Sequence, residues 1–115
     1  MAVAPSSLLR LTSQAMGDAQ ARLRELAITS TSLKTINTLI AKRDAIDAQQ
    51  RRLMRANLAI VDKDPAVQKN VAQLTQLTGQ LAAGVHEMQN ATQAIKGATG
   101  FISLADKILS LFRLA

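Results

Sequence analysis

Apolar residues recur at a seven-residue interval through the second half of the chain, at Val67, Leu74, Leu81, Met88, Ile95, Ile102 and Leu109. Such a column marks a helix that turns one stripe toward a partner helix. The neighbouring column, Leu77, Gly84, Ala91, Ala98, Ala105 and Phe112, is mostly small and permits close approach. The first half is less regular. Leu9, Met16 and Leu23 form one column and Ala19, Leu26, Leu33 and Ile40 another, after which the seam moves to Leu39, Ile46, Leu53 and Ile60. A slip of this kind signals a local change of supercoil or a break between two helices. The Thr29-Ser30-Thr31-Ser32 run is the natural place for a break, because these side chains compete for backbone hydrogen bonds.

The strongest stop signal is Asp62-Lys63-Asp64-Pro65. Asp64 can cap backbone donors and Pro65 suits a first helical position, while the proline disfavours helical geometry at the residue before it. These signals predict an all-α fold in one domain, residues 1–115: a helix over about 7–61, a turn at 62–65 and a helix over about 65–113. Each helix would be roughly 70 to 80 Å long at ~1.5 Å per residue, and matched lengths favour a long antiparallel, coiled-coil-like hairpin. Gly97 and Gly100 offer a break that would free Phe101 to Arg113 as a separate helix. The alternative architecture is therefore a compact three- or four-helix bundle. A two-helix hairpin leaves apolar side chains such as Phe101, Leu104, Ile108, Leu111 and Phe112 over, to be covered by self-association or by folding back of the ends.

Composition agrees with helices. The 115 residues are 48% hydrophobic but only 2% aromatic, so the apolar material is aliphatic and rich in alanine. There is no cysteine, which removes disulfides and thiolate metal ligands. The stretch Met1 to Ser7 has no basic leader character and no run approaches the ~20 apolar residues of a membrane span. The expected default is a cytoplasmic protein, with export by a signal-less route left open as the lesser alternative.

The net charge is +6, with ten basic and six acidic side chains in residues 1–64 and four and two in residues 65–115. The densest basic stretch, 42–55, offers Arg51, Arg52 and Arg55 as possible anion contacts. Asp44 and Asp47 dilute it, Asp47 lies four residues before Arg51, and no aromatic platform accompanies it. A solvated, ion-paired helix face is the simpler reading and argues against nucleic acid, which stands as a second alternative only.

Nothing resembles a catalytic constellation. His86 is the single histidine, beside Glu87, and falls short of the ligand count and spacing of a zinc-protease site. The glycines at 79, 84, 97 and 100 form no phosphate loop, and no nucleophile, base and orienting group come together. No cofactor or metal is expected, and the chain reads as a non-enzyme. The apolar segment 101–114 could lie on a membrane or in a partner groove, but Lys107 and Arg113 are its only cations, which favours a core or interface role.

The leading expectation is a self-associating helical protein–protein interaction module, an assembly component, adaptor or small chaperone of bacterial type. Its interaction seam would be Val67, Leu74, Leu81, Met88, Ile95, Ile102 and Leu109 with Phe101, Ile108 and Phe112. The first alternative is a membrane-associated or membrane-active helical protein using 101–114. In layout alone, a helix, an Asp-Pro turn and a helix with an apolar end, the chain resembles the hairpin proteins of secretion needles, which would imply a secretion-related part.

Overall fold

Pro5 opens the first helix and the Thr/Ser run closes it. The computed structural model describes residues 4–114, and among these the helices are α1 (Pro5–Thr29), α2 (Leu33–Met54), α3 (Leu58–Lys63), α4 (Pro65–Lys69), α5 (Val71–His86) and α6 (Ala91–Leu111). The all-α class is as expected. Of the two architectures, the chain adopts the bundle: it measures 48 × 23 × 16 Å, too short for a rod of 70 Å or more.

The expected helix over 7–61 is three helices. Ser30 and Ser32 are extended, and the Ser32 hydroxyl accepts the Thr35 N–H to start α2. The break thus falls in the Thr/Ser run. A second break follows α2, where the Asn57 side chain accepts the N–H groups of Ala59 and Ile60 and caps α3. Asp64 and Pro65 behave as read: the carboxylate accepts the Ala66 N–H at 2.9 Å and Pro65 is the first residue of α4.

The expected helix over 65–113 is also three. Asn70 ends α4, and Glu87 to Asn90 separate α5 from α6, with the Asn90 side chain accepting the Gln93 N–H at 2.9 Å. The expected break at 97–100 does not occur. A glycine inside a helix costs only about 1 kcal/mol, less than the burial that holds α6 straight against the core, so α6 runs through both glycines. Phe101 to Leu111 are part of that helix rather than a separate one.

Four long helices surround one core. Helix α1 packs along α2 and α5, and α6 also packs along α2 and α5, so the order around the core is α1, α2, α6, α5. Contacts between Thr12 and Thr78, and between Arg22 and Met88, make α1 and α5 parallel. Gln20 meeting Gln50 while Ser6 meets Asp62 sets the chain through α2 antiparallel to α1, and Gly84 beside Phe101 with Met88 beside Gly97 sets α6 antiparallel to α5, so α2 and α6 are parallel as well. The chain is two helical hairpins laid side by side in one sense. Their tips, at residues 30–32 and 87–90, form one end. The short helices α3 and α4 carry the chain from α2 to α5 at the other, here called the crossover end.

The core is the face each helix shows inward. Leu9, Met16, Ala19 and Leu23 come from α1, Leu39, Ile46 and Leu53 from α2, Leu74, Leu77 and Leu81 from α5, and Ala94, Ala98, Phe101, Ala105, Ile108 and Leu109 from α6. The Leu39 column is buried through Leu53, but its last member, Ile60, lies past the break in α3 and is exposed. At the hairpin-tip end the Arg22 guanidinium donates to the carbonyls of Met88 at 2.7 Å and Gln89 at 2.9 Å, occupying acceptors left free where α5 stops.

Candidate interaction surfaces

The residues expected to form an intermolecular seam mostly seal the protein's own core. Val67, Leu74, Leu81, Met88 and Leu109 are buried, as are Phe101, Ile108 and Phe112. Ile95 and Ile102 are only half-buried. The reason is the interruption at Glu87 to Asn90. On α6 the inward columns are Ala94, Phe101 and Ile108 with Ala98, Ala105 and Phe112, which moves the first column one residue before the expected one. Small alanines occupy the centre and the large isoleucines are displaced to the flank toward α2.

Ile102 reaches a groove between α2 and α6. It is ≈ 720 Å³ in volume and lined by Leu33, Lys34, Asn37, Thr38, Ala41, Lys42 and Ala45 of α2. Leu33 is 71% exposed. Leu33, Asn37, Ala41 and Ala45 are spaced by four, as are Lys34, Thr38 and Lys42, so one helix face supplies a small-residue floor and a cationic edge. The spacing by four is visible in the sequence, but alanines carry too little apolar surface to stand out in a pattern dominated by leucine and isoleucine. The lining holds two lysines and no carboxylate.

A second groove, ≈ 510 Å³, lies between α5 and α6. Its walls include Gly84, Gly97 and Gly100, its apolar surface comes from Leu81, Phe101 and Leu104, and its charges are mixed, Glu87 and Lys96. A Cβ at Gly84 would lie 3.7 Å from the Phe101 ring, so this glycine is in ordinary contact range rather than forced.

The basic stretch divides in the fold. Arg51 pairs with Asp47 at 3.0 Å across one helical turn, and Arg43 with Asp44 at 3.1 Å. Arg52 and Arg55 are exposed and, among the described residues, make no ion pair. Gln49 and Gln50, in the middle of the same stretch, face inward: Gln50 Nε2 donates to the Ser13 carbonyl at 2.8 Å, and Gln49 Nε2 to the Ile102 carbonyl at 2.9 Å and Asp106 Oδ1 at 2.8 Å.

His86 is exposed at the end of α5. Among the described residues no group of three His, Cys, Asp or Glu side chains could hold a metal ion, and no helix is long and apolar enough to cross a membrane. No protein-family model, curated protein or solved structure matches the chain.

Proposed function

We propose that this chain is a non-enzymatic helical interaction module, an adaptor or assembly component, whose α2–α6 groove receives an acidic amphipathic helix of a partner protein. The observation that carries the reading is the composition of that groove: apolar Leu33, Ala41, Ala45 and Ile102 beside Lys34 and Lys42, with no carboxylate in the lining. An amphipathic helix docks by laying an apolar face on such a floor, and lysines at the edge favour acidic neighbours on its flank. From Leu33 to Ala45 the floor runs about 18 Å at ~1.5 Å per residue, enough for about three turns of a docked helix.

Self-association is the less favoured form of this reading. Folding α6 into the core covers the apolar surface that a two-helix rod would have left open. A net charge of +6 on each copy also opposes docking of a second copy into a basic groove.

The test is titration of the full chain with a designed acidic amphipathic helical peptide and with its basic counterpart, followed by fluorescence anisotropy. The acidic peptide is expected to bind, and Lys34→Glu with Lys42→Glu to reverse the preference. Equal affinity of both peptides, or a preference that survives the two substitutions, would refute the groove assignment. Sedimentation at rising concentration separates this from self-association, since a monomer is expected throughout.

A further inference from the structure

The crossover end combines exposed apolar side chains with cations that have no internal partner. Met54, the last residue of α2, is 72% exposed, and Ile60 of α3 is 65% exposed. Arg52 and Arg55, which flank Met54 in sequence, and Lys63, three residues after Ile60, are exposed and, among the described residues, without ion pairs. Ile60 and Lys63 share with Asn57, Ala59, Asp64 and Arg113 a cleft of ≈ 420 Å³.

The carboxylates near this end are all engaged. Asp47 holds Arg51, Asp62 holds Ser6, and Asp106 accepts from Gln49. Asp64, in the cleft lining, accepts the Ala66 N–H and faces Arg113 at 3.5 Å. Asp62 and Asp106 keep their charge in these bonds to neutral donors, and Arg52, Arg55 and Lys63 outnumber them, so the end carries a positive excess.

We propose that the crossover end binds an anionic phospholipid surface, with Met54 and Ile60 entering the headgroup layer and Arg52, Arg55 and Lys63 pairing with lipid phosphates. Two arguments select this occupant. Exposed methionine and isoleucine gain nothing on a nucleic-acid backbone, and no aromatic side chain is available to stack on bases. Basic residues surrounding apolar ones suit the boundary between anionic headgroups and acyl chains. This site is separate from the apolar face of α6, whose Phe101, Ile108, Leu109 and Phe112 are buried and could meet a membrane only if the bundle opened.

The experiment is co-sedimentation of the full chain with phosphatidylcholine vesicles, with and without phosphatidylserine, at low and high salt. Binding is expected only to the phosphatidylserine vesicles and is expected to weaken with salt. Arg52→Glu, Arg55→Glu and Lys63→Glu together should lower affinity about 100-fold. Met54→Ser with Ile60→Ser should lower it about 10-fold. The control reverses the same number of charges away from the crossover end, Arg24→Glu, Arg43→Glu and Lys96→Glu, and should retain most of the binding. All substituted residues are solvent-accessible, and circular dichroism confirms that each variant is folded before it is used. Equal loss in the control, indifference to phosphatidylserine, or tighter binding to a short nucleic-acid duplex than to vesicles with no effect of Met54 and Ile60 would overturn the proposal.

Discussion

Ser6 receives its helix cap from Asp62, 56 positions further along the chain: the carboxylate accepts the Ser6 N–H at 2.7 Å and the Ser6 hydroxyl at 2.8 Å. The residue at the N-cap position of α1, Ala4, makes no side-chain cap of its own, so a residue of α3 supplies the acceptor. A carboxylate there also meets the positive end of the helix dipole. One contact therefore stabilises α1 locally and fastens the crossover to the bundle. Asp62→Ala is expected to cost about 1 to 2 kcal/mol in urea unfolding. Asp44→Ala, which removes only an exposed pair with Arg43, should stay within about 0.5 kcal/mol of the parent. Equal effects of the two would remove the long-range cap from this account.

Thr12 and Thr78 place two buried hydroxyls 3.1 Å apart between the parallel helices α1 and α5. Thr12 donates to the Leu8 carbonyl at 2.8 Å, which leaves Thr78 as the donor to Thr12. Thr12→Val strands the Thr78 hydroxyl and should cost about 1 to 2 kcal/mol. Thr78→Val leaves Thr12 bonded to its own helix and should cost less. The double variant should be more stable than Thr12→Val alone, a non-additivity that a double-mutant cycle reads directly. Strict additivity would show that the pair is not coupled.

Gln49 carries the one buried side-chain acceptor among the described residues without a partner, Oε1, although its Nε2 makes two bonds to α6. Removing the amide loses those two bonds, each worth about 1 kcal/mol net, but also removes a stranded acceptor and adds apolar burial. Gln49→Leu should therefore shift stability by less than about 1 kcal/mol in either direction. A loss above about 2 kcal/mol in chemical denaturation would mean that the polar link between α2 and α6 stabilises more than this balance allows.

Local chemistry was the legible part of this fold. The Thr29 to Ser32 break, the Asp64 cap and the Pro65 start all depend on residues within a few positions of one another, and each stands where the pattern placed it. Asn57 and Asn90 cap helices in the same way, but with no proline after them the sequence alone does not separate a cap from an asparagine inside a helix. The order of helices around the core was not legible, because it rests on partners such as Ser6 with Asp62 and Arg22 with Met88 that no periodicity links. The groove beside Ile102 depended on that order, since Leu33 to Ala45 are flanked by Ile102 only once α6 lies next to α2.

The displaced seam on α6 gives the sharpest contrast between side-chain size and burial. Ala98 and Ala105 are fully buried where α6 meets its neighbours, while Ile102, between them in sequence, is half-buried at the groove edge. A large residue at an alanine position must displace close-packed atoms, so Ala98→Leu should cost about 1 to 3 kcal/mol. Ile102→Ala removes a side chain that solvent already reaches and should cost about 1 kcal/mol or less, well below the 2 to 5 kcal/mol of a core truncation such as Leu74→Ala. Thermal and urea unfolding of the three variants give the order. If Ile102→Ala proved as damaging as Leu74→Ala and Ala98→Leu were tolerated, the uninterrupted seven-residue column would be the true core, and the turn at Glu87 to Asn90 would not reset the helix face.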